Sequence, residues 1–417
     1  MSPSAPITPD ELSTSMSLAQ LQVFAAVATT GSVAAASDLL FKAQSAVSRS
    51  ITEFEATIGH TLFERRSFGM LPTPVGNAVH ERGARVLGEL AEFAVWCELL
   101  RSRHVAASRG VVPNYLLNTR RLQLFIELCR HRNMQSAAVS MGISQPAVSA
   151  AVRTLEAGAG FPLFERSSRG LLLTEYGQTF ELRVRRALNE LRQIPYEVAA
   201  LEGMVRGVVS VGALPPVRSR ILPQAIARLS QTHRGVRVVT DERPYDDLLA
   251  ELRSGDIDFV LGAIANVDVS VGLVTELLYR ESMCALVRQG HPLARQGKAC
   301  SVDAIQAYGL ILPRQKSLAR KLVDEHFRRH GRKALVATVE TADLAVVRSL
   351  LLDTDMIAFL SENHVHRDVV DGDIVSLPTV AGALERKIGF TFRSDSAHSP
   401  AALALISIVR SLAPDCR

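Results

Sequence analysis

Leu21-Gln22-Val23-Phe24 returns as Leu122-Gln123-Leu124-Phe125, and Leu62-Phe63-Glu64-Arg65 returns as Leu163-Phe164-Glu165-Arg166, both 101 residues later. In the same register Gln44-Ser45-Ala46-Val47-Ser48 meets Gln145-Pro146-Ala147-Val148-Ser149, and Glu55-Ala56 meets Glu156-Ala157. Leu71, Thr73 and Gly76 meet Leu172, Thr174 and Gly177, and no gap is needed anywhere. Chance does not produce a match of this length in constant register, so the chain carries one small domain twice.

The first copy reads as three short helices and a hairpin. Leu18, Leu21, Phe24, Ala25 and Ala28 recur at helical spacing, as one amphipathic helix requires. Ser32 is placed to cap a second helix running to about Leu40, since a serine oxygen can accept from the free amides of a first turn. A third helix spans Gln44–Ile58 with Val47, Ile51 and Phe54 inward, and Gly59 stands where a left-handed helix end is expected. A strand from Leu62-Phe63, a turn over 65–69 and a return through Met70-Leu71 complete the copy. This pattern is a winged helix-turn-helix. In the second copy Ser144 is expected to cap the third helix, whereas Ala43 cannot cap its counterpart. Arg49 is matched by Ala150, and Arg153 by Thr52, so the two copies are expected to read different base pairs.

Long apolar-striped helices follow each hairpin, over about 74–103 and 175–201. Such a stripe needs a partner. Pairing within one molecule and pairing with the same helix of another chain both remain open. From Gly207 the pattern turns to strands alternating with helices, among them Val208-Val209-Ser210-Val211-Gly212, Ile257-Asp258-Phe259-Val260-Leu261, Leu310-Ile311-Leu312 and 357–360. Such alternation predicts a parallel sheet flanked by helices. The fold class is therefore α/β overall, behind two helical domains.

The 417 residues suggest two to four domains. Hydrophobic residues at 47% and charged residues at 21% exclude a mainly disordered chain. No apolar run approaches the ~20 residues of a membrane span, and residues 1–16 do not read as a secretory signal. Cys97, Cys129, Cys284, Cys300 and Cys416 are scattered and odd in number, which fits a reducing cytoplasm. Of 47 cationic residues 41 are Arg, and Lys42 is the sole Lys before residue 298. The net charge of +5 permits a polyanionic partner without demanding one.

The combination of Ala36-Ser37, Gln44 to Ser48, Glu55, Leu62 to Arg65 and Thr73-Pro74-Val75-Gly76 resembles the DNA-binding domain of LysR-type transcriptional regulators. The second copy resembles it more fully, through Ala137-Ala138, the run from Ser144 to Ser149, Leu155-Glu156 and Phe164-Glu165-Arg166. The C-terminal half resembles that family's periplasmic-binding-protein-like effector domain, on Ser254-Gly255-Asp256-Ile257-Asp258, His291-Pro292-Leu293-Ala294 and Val339-Glu340-Thr341. Members of the family normally carry one DNA-binding domain per chain, and this chain carries two.

The resemblance implies this organisation: a disordered segment at 1–16, the first winged helix-turn-helix at 17–77, and its linker helix at 78–104. A connector at 105–118, the second winged helix-turn-helix at 119–178 and its linker helix at 179–204 follow. The effector domain occupies 205–417, with one lobe at about 207–280 and 388–417 and the other at about 283–385. Two crossing strands, near 281–287 and 381–390, are expected to join the lobes. The implied function is a cytoplasmic DNA-binding transcriptional regulator that senses a small molecule, without a metal or cofactor and with no membrane partner, and forms a homo-oligomer (dimer or tetramer).

Gln44, Ser48, Arg49, Gln145, Ser149 and Arg153 are the candidates for base edges or adjacent backbone, because Gln pairs with adenine and Arg with guanine. Arg65, Arg66, Arg166 and Arg169 in the wings are candidates for phosphates or a minor groove. The effector cleft is expected at the carboxyl ends of the parallel strands, lined by Pro216, Arg218, Arg243, Tyr245, Ala263, Arg314, Thr341 and Ser361. Pro215-Pro216 removes two backbone donors where many relatives hold a carboxylate. Arg218, Arg243 and Arg314 are the groups that could still hold an acidic effector.

Catalytic motifs are missing: there is no G-x-S-x-G, no Walker A loop and no H-E-x-x-H. His364-Val365-His366 beside Asp368, Asp371 and Asp373 reads as a surface cluster rather than a metal site, since its two histidines should face different ways. Cys284 and Cys300 read as small buried hydrophobes. A second reading is an effector sensor that acts through protein contacts, with one or both DNA-binding copies degenerate.

Overall fold

The computed structural model describes residues 16–66, 69–101, 111–168, 170–264, 272–329, 335–379 and 384–413. The chain divides into two compact units, residues 1–207 with 254–256, and residues 208–253 with 257–417.

In the first unit α1 (Leu18–Thr30), α2 (Val33–Leu40) and α3 (Gln44–Ile58) lead into an antiparallel hairpin of β1 (Phe63–Arg66) and β2 (Gly69–Pro72), and then α4 (Pro74–Arg101). The series repeats as α5 (Thr119–His131), α6 (Met134–Ser140), α7 (Gln145–Ala159), β3 (Phe164–Ser167), β4 (Gly170–Leu173) and α8 (Glu175–Leu201). Ser32 accepts the Ala35 amide, as its position foretold. Gly59 has φ of 80° and donates its amide to the Glu55 carbonyl at 2.8 Å, the left-handed end expected of it.

Two local expectations fail. Ser144 occupies the N-cap of α7 but its hydroxyl makes no capping bond. Pro146 has no amide to offer, and the Ala147 amide bonds instead to the Ser144 carbonyl at 3.0 Å. The Ala46 amide does the same with Ala43 at 2.9 Å, so both recognition helices start alike. In the wing, Arg65 and Arg66 belong to β1 rather than to the turn.

The two linker helices pack on each other inside the chain. Phe93 meets Phe180 with ring centroids 4.5 Å apart, and Trp96 meets Tyr176 at 5.7 Å. Far along each helix, Arg82 bonds Glu190 and Glu197, so α4 and α8 run antiparallel. The question of which helix pairs with which is answered in favour of the internal pair. One core, including Phe24, Phe54, Phe93, Phe125 and Phe180, runs through both copies. Each such ring contributes on the order of 2–3 kcal/mol by leaving water.

The second unit is a two-lobed α/β domain. Among the described residues a nine-stranded sheet runs in the order β10 (Val339–Glu340), β9 (Leu310–Leu312), β11 (Ile357–Leu360), β8 (Leu273–Arg288), β13 (Leu384–Arg393), β7 (Phe259–Ala263), β5 (Arg206–Ala213) and β6 (Gly235–Asp241), with β12 (Ile374–Leu377) paired to β8. One lobe is built on β5 (Arg206–Ala213), β6 (Gly235–Asp241) and β7 (Phe259–Ala263), with helices α9 (Ile221–Thr232) and α10 (Tyr245–Ser254). The other is built on β9 (Leu310–Leu312), β10 (Val339–Glu340) and β11 (Ile357–Leu360), with α11 (Leu318–Arg329) and α12 (Leu344–Asp353). The pairs β5–β7, β9–β10 and β9–β11 are parallel, as short βαβ connections require.

The strand β10 is short, only Val339–Glu340. Thr338 there bonds Leu310 with both its amide (2.8 Å) and its hydroxyl (3.1 Å), so a side chain replaces a ladder bond. The crossing strand β8 (Leu273–Arg288) is longer than expected, whereas β13 (Leu384–Arg393) runs three residues further on than expected, positions 381–383 lying outside the described residues; the two pair antiparallel from Leu273–Arg393 to Met283–Leu384. Each lobe has its own core, one around Phe259, Phe390 and Leu405, closed by α13 (Pro400–Leu412), and one around Ala285, Val323 and Phe327.

Candidate nucleic-acid interface and effector cleft

In α3 the inward residues Val47, Ile51, Phe54 and Ile58 fall every three or four positions, which turns Gln44, Ser48 and Arg49 outward into solvent. In α7 the buried stripe is Val148, Val152, Leu155 and Ala159, leaving Gln145 and Arg153 exposed and Ser149 partly so. Arg153 lies back along its helix and donates to the Ser149 hydroxyl at 2.8 Å. Both helices are braced from below: the Glu55 carboxylate accepts the Leu62 amide at 2.7 Å, and Glu156 accepts the Leu163 amide at 2.9 Å. These bonds tie each recognition helix to its own wing.

In the wings Arg65 and Arg166 are exposed, and Arg66 is exposed but bonded to Glu64 at 2.7 Å. Arg169 lies outside the described residues. Each copy presents an exposed helix beside a hairpin that carries an exposed arginine, an arrangement that suits a groove and its bordering phosphates.

The candidate cleft residues are less unified. Pro216 is buried in a short helical turn after β5, and Ala263 is buried at the end of β7. Arg218 is tied down, donating to the Ala213 carbonyl at 2.7 Å and to the Glu242 carbonyl at 2.9 Å. Arg243 is clasped by Asp241 at 2.6 Å and Glu251 at 3.2 Å. Tyr245 packs against the apolar cluster under α10 with its hydroxyl buried. Thr341 accepts the Asp343 amide at 3.0 Å, and Ser361 accepts the Asn363 amide at 3.2 Å. Arg314 is exposed at the start of the loop after β9.

Sequence reasoning missed a polar network that bridges the two lobes. Glu281 on β8 and Arg386 on β13 form a buried ion pair, and Arg386 also faces the His364 ring at 3.1 Å. Asn363 reaches Glu281 at 3.4 Å and accepts from Arg220 of the other lobe at 2.8 Å. Burial first, and Arg386 second, lower the His364 pKa to about 3, so this ring is neutral. The surface reading of the His364-His366 cluster thus fails at His364, because a 3-10 turn over Glu362–Val365 directs its ring inward; His366 is exposed. Among the described residues no group of three His, Cys, Asp or Glu side chains could hold a metal. Cys300 is buried, and burial with nearby Glu362 pushes the Cys284 thiol up to about 12. No described helix is long and apolar enough to cross a membrane.

Comparison with known proteins agrees with this architecture. Residues 18–77 and again 119–178 match "Bacterial regulatory helix-turn-helix protein, lysR family", and residues 202–414 match "LysR substrate binding domain". The regulator GalR of Pseudomonas putida is 44% identical over 395 residues, covering 95% of this chain and 97% of that one. The regulator PcaQ of Agrobacterium fabrum is 34% identical over 296 residues, which covers 94% of PcaQ but 70% of this chain. A full-length OxyR variant from Pseudomonas aeruginosa shares the fold, with a TM-score of 0.54 at 20% identity over 71% of this chain and 94% of that one. The chain belongs to the LysR family of DNA-binding transcriptional regulators, with its helix-turn-helix domain present twice before one effector-binding domain.

Proposed function

We propose that the two copies act as the halves of a dimer fused into one polypeptide, and that both bind duplex DNA. The observation that carries this is reciprocity. Moving each partner by 101 residues, in opposite directions, turns the Arg82–Glu190 pair into Arg183–Glu89, and both pairs are formed. Leu18 and Thr119, which are counterparts, touch each other, the Leu18 amide donating to the Thr119 hydroxyl at 3.4 Å. Reciprocal contacts are the mark of a two-fold interface, and a two-fold pair of recognition helices suits an operator with two half-sites.

Gln44, Ser48 and Arg49 would read one half-site, and Gln145, Ser149 and Arg153 the other, with Arg65, Arg66, Arg166 and Arg169 holding backbone. Because the linker helices satisfy each other, further self-association falls to other surfaces. A small-molecule effector binds between the lobes, in the cytoplasm where the DNA is. For an acidic effector Arg314 is the candidate whose guanidinium has no partner among the described residues, while Arg218 and Arg243 would first leave the partners that hold them. Ligand closure of the lobes then shifts the regulator between states of different DNA affinity.

The test is duplex binding by the whole chain across a salt series, with mass measured on the complex. One chain per two protected half-sites, with affinity falling steeply as salt rises, is expected. Two chains per operator, or salt-independent binding, would overturn the fused-dimer reading.

A further inference from the structure

The turn between α2 and α3 is Phe41-Lys42-Ala43, while the matching turn of the second copy is Gly142-Ile143-Ser144. Phe41 has φ of 51° and ψ of 45°, the left-handed region. Gly142 holds the same conformation at 64° without a Cβ to crowd. A bulky residue there works against the backbone. Burial does not compensate, because the Phe41 side chain is 96% exposed.

The next position also departs from what the fold favours. Ile143 packs against the apolar cluster of its own copy, whereas Lys42 is exposed. Its main chain is as well anchored as any: the Lys42 amide donates to the Ser37 carbonyl at 3.0 Å, and its carbonyl accepts the Ser37 hydroxyl. The backbone is thus held while both side chains stand free in water. They do so immediately before Gln44, on the copy that also exposes Arg49 and Arg65. A residue that strains the fold and buries nothing makes sense where its contact lies outside the chain.

We propose that Phe41 and Lys42 form an accessory DNA contact used by the first copy alone. Lys42 would meet a backbone phosphate, and the Phe41 ring would lie on the apolar sugar or thymine-methyl surface beside it. Duplex DNA is the occupant that fits, because the pair adjoins the recognition helix and Lys42 and Arg49 are exposed cations there, with Asp38 the exposed acid beside them. The second copy, with Gly142 and Ile143, lacks the contact, so one half-site is held more firmly than the other. This rests on the first copy binding DNA at all.

The experiment compares the parent with Phe41→Gly and Lys42→Ile, each installing the second copy's residue in the full chain. Phe41→Gly removes the backbone strain, so its Tm should equal or exceed that of the parent. Its affinity for a duplex carrying the footprinted operator should nevertheless fall about tenfold, with protection lost first over one half-site. Lys42→Ile should lower the salt slope by about one phosphate's worth. Parent-like affinity and footprint in Phe41→Gly would overturn the proposal while leaving DNA binding by the first copy standing. Absence of any duplex protection by the parent would overturn both. Unchanged DNA binding with lost transcription in a purified RNA polymerase assay would assign the pair to a protein contact and overturn the DNA one.

Discussion

The two helix-turn-helix copies agree where the backbone must be satisfied and diverge where it need not be. Glu55 and Glu156 make the same bonds to the strand that follows, and the Thr73 and Thr174 hydroxyls each cap the next helix by accepting the Gly76 or Gly177 amide at 3.0 Å. A Cβ on Gly76 or Gly177 would strike the Leu62 or Leu163 carbonyl at 2.1 and 2.0 Å, so neither copy can drift there. The differences collect elsewhere: on the exposed faces of α3 and α7, at the two left-handed turns, and along the linker helices. After duplication the groups that close hydrogen bonds stay fixed, because losing one leaves a buried polar atom alone. Solvent-facing groups are free to specialise.

The largest expected break in this likeness lies in the two reciprocal ion pairs. Arg82 is 4% exposed and its partner Glu190 8%, whereas Arg183 is 26% exposed, its reciprocal partner Glu89 is 11% exposed, and its second partner Glu92 is 63% exposed. Burial opposes the charge on both arginines, yet their glutamates outweigh it and raise both pKa values. Arg82→Leu removes a buried cation from both Glu190 and Glu197 and should cost about 3–5 kcal/mol. Arg183→Leu leaves Glu92 hydrated and Glu89 still paired with Arg186 at 3.5 Å, and should cost about 1 kcal/mol or less. Urea unfolding of the full chain measures both, and equal losses would contradict the asymmetric burial of the pair.

DNA recognition should separate the copies next. Arg49→Ala and Arg153→Ala should each relax specificity by roughly 1–3 kcal/mol, at different base positions. The Arg153 effect belongs at the lower end, because in the free protein that guanidinium already bonds Ser149. Quantitative footprinting on operators changed one base at a time is the readout. Identical footprints for the two variants would mean that the copies do not divide the site.

A smaller effect reverses the turn asymmetry. Where the first copy has Gly31 at φ of 67°, the second has Arg132 at 54°, exposed and with its carbonyl accepting the Leu171 amide at 3.0 Å. Arg132→Gly should raise stability by about 1 kcal/mol by relieving a left-handed non-glycine. A loss instead would show that the Arg132 side chain contributes to the fold.

The duplication, the stripes of α3 and α7 and the strands Leu310–Leu312 and Ile357–Leu360 were legible because periodicity records which side faces a core. The internal pairing of α4 and α8 was written too, in Arg82 with Arg183 and Glu89 with Glu190 at the repeat spacing, but charges on a helix ordinarily signal a wet face. The Phe41–Gly142 mismatch could have been found the same way, by asking which aligned residues share a backbone conformation. The cleft cations were not legible: Arg243 is claimed by Asp241 and Glu251 through the folding of a loop that periodicity does not describe. The network between the lobes was hidden for a related reason, since Glu281 and Arg386 are 105 residues apart and meet only through the register of β8 and β13.

The smallest expected difference between the copies is their response to acid. His80 sits on α4 beside the Phe24 ring, with its Nδ1 buried and unbonded, and its counterpart on α8 is Glu181. Burial lowers the His80 pKa below 6.5, with Glu81 partly offsetting. The unfolded chain therefore takes up a proton near pH 6.5 that the folded first copy resists. Stability from this group is complete above that pH and drains as pH falls through 6.5 toward the lower folded value. His80→Leu, which keeps the bulk and cannot charge, should flatten that part of the pH–stability profile without changing the plateau near pH 8. A profile that keeps its slope would place the acid sensitivity elsewhere, with His364 the next group to replace.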